Sequence, residues 1–85
     1  MSFKLSIVAP AGIVFEGKVD SMAVRGLEGD FEVYVGHTPL ISILKSGKTR
    51  IRQGDQVSAY AISSGIIEVD LDHNVTLLAD TASTV

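Results

Sequence analysis

Along nearly the whole chain, apolar side chains recur at every second position: Phe3, Leu5 and Ile7 against Lys4 and Ser6, then Phe31, Val33 and Val35 against Glu32 and Tyr34. A β-strand turns successive side chains to opposite faces, so this period of two predicts strands with one buried face. The same alternation predicts further strands over Val19 to Arg25, Leu40 to Leu44, Lys48 to Arg52, Val57 to Ser63, Ile66 to Leu71 and Val75 to Ala79. No stretch carries the 3.6-residue period of an amphipathic helix.

Turn chemistry separates these segments at short intervals. Ala9-Pro10-Ala11-Gly12, Glu28-Gly29-Asp30, Gly36-His37-Thr38-Pro39, Lys45-Ser46-Gly47, Gly54-Asp55 and Asp72-His73-Asn74 each supply a positive φ, a fixed φ or an Asx-type side-chain bond. Gly54-Asp55 has the spacing of a two-residue hairpin with Gly first, as a type II′ turn requires. Pro39 fixes its own φ and pushes Thr38 into an extended conformation, which makes the His37 turn stiff. Short strands at this spacing predict an all-β fold, a flattened antiparallel β-sandwich or barrel of about eight to ten strands. A single domain spans residues 1–85, with strands to about residue 80 and a short polar tail.

Composition sharpens the functional question. A chain of 85 residues buries only about 60 to 65% of the surface its unfolded form exposes, yet 46% of its residues are apolar and its mean hydropathy is +0.34. Some apolar surface is therefore expected to meet a partner. A net charge of -3 leaves no phosphate-neutralising face for nucleic acid. The absence of Cys removes disulfides, thiolate chemistry and Cys-ligated zinc, and favours a reducing compartment. No apolar run reaches the roughly 18 to 20 residues of a membrane-spanning helix, and the start, MSFKLSIVAP, lacks a signal-peptide core.

Three patterns invite a chemical reading. Gly12-Ile13-Val14-Phe15-Glu16-Gly17-Lys18-Val19 nearly spells a phosphate-binding loop, but Val19 replaces the Mg²⁺-binding hydroxyl and no helix follows, so a strand bounded by glycines is expected. His37 and His73 both fall in turns without a third ligand or a nucleophile at supporting spacing, which predicts no metal and no catalytic site. Lys48, Arg50 and Arg52 share one face of a strand as a positive stripe, while Glu28 and Asp30 flank Gly29 where carboxylates project into solvent. These charges read first as solvated faces, and the acidic tip is also suited to meeting a positively charged loop.

Taken together, four ordered blocks resemble the N-terminal β-sandwich domain of the epsilon subunit of rotary F-type ATP synthases. They are Gly26-Leu27-Glu28-Gly29-Asp30, Gly36-His37-Thr38-Pro39-Leu40, Ser63-Ser64-Gly65-Ile66-Ile67-Glu68-Val69, and Val75-Thr76-Leu77-Leu78-Ala79-Asp80-Thr81-Ala82, and the likeness runs from about Phe3 to Ala82. Val35 departs from the Pro usual in that family, Glu32 from Gly, and Ser64 from a second Gly. The resemblance implies a non-catalytic subunit of the central rotor, without cofactor or metal, that clamps the gamma subunit to the c-subunit ring and so couples proton flow to ATP synthesis. It places the ring-facing turn on Glu28, Gly29 and Asp30, and the gamma-facing positions on His37, Ser42 and Ser63. It also implies a peripheral location on the cytoplasmic or equivalent face of an energy-transducing membrane, such as the bacterial inner membrane. The family's C-terminal two-helix hairpin, which can block rotation, is expected to be absent.

Two other β-rich classes compete. A biotinyl or lipoyl carrier domain needs a modified Lys at an exposed hairpin tip, and Lys45 before Ser46-Gly47 lacks that setting. A small ligand-binding sandwich would take up a metabolite without any partner.

Overall fold

A computed structural model describes residues 1–85 and contains ten strands and no helix. In chain order they are β1 (Phe3–Ala9), β2 (Gly12–Val19), β3 (Ser21–Gly26), β4 (Gly29–Tyr34), β5 (Leu40–Leu44), β6 (Gly47–Gln53), β7 (Gln56–Ile62), β8 (Gly65–Val69), β9 (Val75–Ala79) and β10 (Ala82–Thr84). β5 and β9 coincide with the residues that the alternation marks, and β6 and β7 come within a residue of it at each end.

Hydrogen bonding follows the path β10-β7-β6-β3-β5-β8-β9-β1-β2, with β4 on the other edge of β3. The middle of that path is narrow. β3 pairs with β6 through Ser21, Met22 and Ala23 but meets β5 only where Gly26 faces Leu44. At this corner the sheet folds into two layers of five strands, β4-β3-β6-β7-β10 and β5-β8-β9-β1-β2. Both layers contribute to one core: Met22, Val24, Val33, Ile51 and Ile62 from the first, Leu5, Ile7, Ile67, Val69 and Leu77 from the second. The expected sandwich is present, with one departure from antiparallel order, since β1 and β9 run parallel.

The β6–β7 hairpin closes on Gln53 and Gln56, with Gly54 at φ 61° and Asp55 outside the left-handed region, which is the II′ geometry anticipated. The Gly12 to Lys18 segment is a strand, as its Ile-Val-Phe interior demands, and it carries a bulge. Ile7 faces Phe15 while Val8 faces Ile13, so Val14 is the extra residue.

Three boundaries differ from the expectation. The proposed strand from Val19 to Arg25 is broken at Asp20, because Val19 ends β2 and Ser21 starts β3. Buried Val19 and buried Met22 lie three residues apart, so the parity of the alternation changes between them. Asp20 fastens this corner: its amide donates to the Arg52 carbonyl (2.7 Å) and its Oδ2 accepts from the Gly54 amide (2.6 Å). The strand from Ile66 stops at Val69 rather than Leu71, because Asp70 begins a turn in which its Oδ1 accepts from the amides of Asp72 and Asn74, each at 2.9 Å. The polar tail after residue 80 is instead strand β10, paired to β7 through Ala82–Ile62, Ser83–Ala61 and Thr84–Tyr60. Edge pairing needs only backbone groups, so small polar side chains suffice there.

Candidate docking site

Apart from Ser42 in the middle of β5, the residues expected to meet partners lie at opposite ends of the sandwich. Leu27 and Glu28 form the two-residue turn between β3 and β4, closed by Gly26 opposite Gly29. Asp30 is not at the free tip: it stands in β4 opposite Arg25, whose Nε donates to Asp30 Oδ1 at 3.2 Å. Glu28 is therefore the unpaired acid of the turn, next to an exposed Leu27. His37 lies beyond the far end of β4, about 17 Å of strand away. Its Nδ1 donates to the Thr38 carbonyl at 2.8 Å, and its own carbonyl accepts from His73 Nδ1 at 3.0 Å. The two histidines thus lock two turns together, with His73 held at φ 64°.

Ser63 returns to the Glu28 end. There the β7–β8 and β9–β10 links clip to each other: Ser63 amide to Thr81 carbonyl (3.2 Å), Thr81 amide to Ser63 Oγ (3.2 Å), and Ser64 Oγ to Asp80 Oδ2 (2.9 Å). Gly65 completes this junction, because a Cβ there would stand 2.4 Å from the Leu78 carbonyl oxygen. Ser42 lies in mid-β5, half-buried on the side of Leu40 and Leu44, so its neighbours Ile41 and Ile43 form the outer surface of that strand.

Those isoleucines open the most pronounced feature of the surface. Register places Ile43 opposite Ile66, Ile66 opposite Leu78, Leu78 beside Val8, and Val8 opposite Ile13. One apolar row therefore crosses all strands of the second layer on its outer face, over about 19 Å at ordinary strand spacing. Ile43 is 56% exposed, Ile66 44%, Leu78 53% and Ile13 63%. Ile41 extends the row along β5. The next row toward the His37 end is polar, Ile41 aligning with Glu68, Thr76, Ser6 and Glu16.

This row did not emerge from the strict alternation, although a signal for it exists. Leu40-Ile41 and Ile43-Leu44, Ile66-Ile67, and Leu77-Leu78 are consecutive apolar pairs, and in a strand a consecutive pair is apolar on both faces. Three adjacent strands with doubled apolar positions predict a layer covered on both sides.

The outer face of the first layer is different. Lys48, Arg50 and Arg52 line β6, and Arg52 Nη1 approaches Asp20 Oδ2 at 3.9 Å. On β4, across β3 from β6, the Tyr34 hydroxyl donates to Glu32 Oε1, and that bond and the carboxylate charge hold the phenol pKa above its ordinary value. Lys45 is on the link between the two layers, where β5 and β6 do not pair, and its amide donates to the Arg25 carbonyl at 2.9 Å. It is not at a hairpin tip, which counts against the carrier reading. No group of three or more His, Cys, Asp or Glu side chains is close enough to share a metal ion, and no helix is long and apolar enough to cross a membrane.

Fold and surface together define a two-layer β-sandwich domain with an uncovered apolar row on one outer face. Residues 2–85 match the family described as ATP synthase, Delta/Epsilon chain, beta-sandwich domain, and the chain belongs to that family. It is 34% identical over 84 residues to an ATP synthase epsilon chain of Rhodopseudomonas palustris, covering 99% of this chain and 62% of the relative. It is 38% identical over 81 residues to the ATP synthase epsilon chain of Bacillus subtilis, covering 95% of this chain and 61% of the relative. The chain thus spans less than two thirds of the length of these relatives. Its fold matches a chain in the Euglena gracilis mitochondrial ATP synthase structure (OSCP/F1/c-ring) with a TM-score of 0.92 at 21% identity, over 98% of this chain and 53% of that one. A chain of the Tetrahymena thermophila mitochondrial ATP synthase central stalk and c-ring matches with a TM-score of 0.83 at 13% identity, over 98% of this chain and 66% of that one.

Proposed function

We propose that this domain is a non-catalytic rotor component of an F-type ATP synthase, fixing the gamma subunit to the c-subunit ring so that proton flow turns both together. The observation that carries this reading is the apolar row Ile43–Ile66–Leu78–Val8–Ile13, which the isolated fold leaves uncovered. Gamma covers this row in the proposed assembly. The gamma-facing positions flank the row along the strand direction, Ser63 just beyond it at one end and His37 past the polar row at the other. Glu28 at the β3–β4 turn, with Gly29 and Asp30 beside it, meets polar or basic loops of the ring. Attachment to the membrane is then peripheral and made through the complex.

A clamp under torque must dissociate slowly and deform little. Cross-strand hydrogen bonding and the clipped corners at Asp20 and at Ser64–Asp80 resist shear between the layers. Each exposed residue of the row has about half its side chain left to bury, on the order of 1 kcal/mol apiece. Ile13, Ile43, Ile66 and Leu78, with Ile41 beside them, offer about 5 kcal/mol against the roughly 12 kcal/mol of a nanomolar contact, so the row is an anchor within a larger interface.

The test is a pull-down and titration with purified gamma. Ile66→Asp should abolish capture, while Val57→Asp, an exposed apolar position on the other layer, should bind as the parent does. Equal retention of gamma by parent and Ile66→Asp would remove the row from the interface.

A further inference from the structure

The polar end of that same outer face holds a groove of about 620 Å³, between the start of β5 and the turn after β8. Its apolar lining includes Pro39, Ile41 and an 84% exposed Leu71, its acidic lining is Glu68, Asp70 and Asp72, and no basic side chain lines it. Asp70 is already committed to the turn through its Oδ1. The carboxylates of Glu68 and Asp72 make no hydrogen bond or ion pair within the chain; Asp72 serves the turn only through its backbone amide.

We infer that this groove receives a lysine or arginine side chain of the protein that covers the apolar row. The inference rests on the clamp reading. Continuity supports it: Ile41 and Glu68 are two residues along their strands from Ile43 and Ile66, on the same face, about 7 Å away. A segment seated on the row therefore reaches the groove with an ordinary side chain. Charge complementarity supports it as well, since two unpaired carboxylates beside apolar surface suit a side chain with an aliphatic stem and a cationic head. The stem packs on Ile41 and Leu71, and the head lies between Glu68 and Asp72. A bare metal ion fits less well, because these carboxylates are not grouped closely enough to hold one. The contact also supplies what the row lacks: a polar restraint that fixes register along an otherwise slippery apolar strip.

Calorimetric titration of gamma, at low and at raised salt, tests this with the double variant Glu68→Gln/Asp72→Asn. Both side chains are exposed and neither is used internally, so the fold is retained. The expected result is about tenfold weaker binding at low salt and a flatter salt dependence, as charge-assisted contacts in partly screened surroundings give. Unchanged affinity and salt dependence, with Ile66→Asp still unable to bind, overturns the groove and leaves the clamp standing. A parent chain that does not bind gamma overturns both.

Discussion

Thr49 is a polar side chain set in the middle of the core, fully buried in β6, with an Oγ1 that meets no partner. A buried hydroxyl without a hydrogen bond retains its desolvation cost, and valine has nearly the same shape. Thr49→Val should therefore stabilise the fold by roughly 1 kcal/mol, seen as a higher urea midpoint at unchanged slope. A lower midpoint would mean that the hydroxyl is satisfied in solution. Single residues also mark where the sequence was easiest to read. Gly54 sits at positive φ in the hairpin that Gly54-Asp55 announces, and Val19 replaces a hydroxyl in what is plainly a strand. Asp30 was harder, because nothing local shows that Arg25 faces it across the hairpin until the register of β3 and β4 is known.

At the level of elements, the alternation locates strands well where one face is buried, and less well where a corner keeps the pattern running. Val19 and Met22 are both core residues, yet they belong to different layers, and the change of parity at Asp20 is the only local trace of the corner. β10 leaves only a faint trace for another reason: its pairing with β7 uses backbone groups, and of Ala82-Ser83-Thr84 only Ala82 packs against the core. The docking row was partly legible. The resemblance pointed to His37 and Ser63 on either side of it, whereas the row itself depends on which residues align across five strands, and that is a property of register. Asp20 gives a test at this scale. Asp20→Ala removes the acceptor of the Gly54 amide and unfastens the β2–β3 corner from the β6–β7 hairpin. The expected loss is about 1 to 2 kcal/mol, with amide exchange at Gly54 rising more than exchange at core amides of β9. Equal protection at Gly54 in parent and variant would show that the corner holds without it.

Across the whole molecule the surface divides by face and by end: apolar outside the second layer, cationic outside the first, acidic at the β3–β4 turn. On the proposed rotor reading such division lets the domain hold two partners at once without exchanging them. The acidic turn offers a clean probe of the proposed ring contact, provided the residue is chosen with its partner in view. Asp30 is bonded to Arg25, so Asp30→Lys also sets two cations against each other and weakens the hairpin. Glu28 has no such partner, and Glu28→Lys changes the charge of the turn alone. In vesicles reconstituted with the complete synthase, Glu28→Lys should therefore lower proton-driven ATP synthesis by severalfold while the unfolding midpoint of the isolated domain stays that of the parent. Glu28→Gln should fall between the two, because it removes attraction without adding repulsion. If synthesis were the same in all three, the turn would bear no load at the ring, and the link between gamma and the ring would have to run through another surface of the domain.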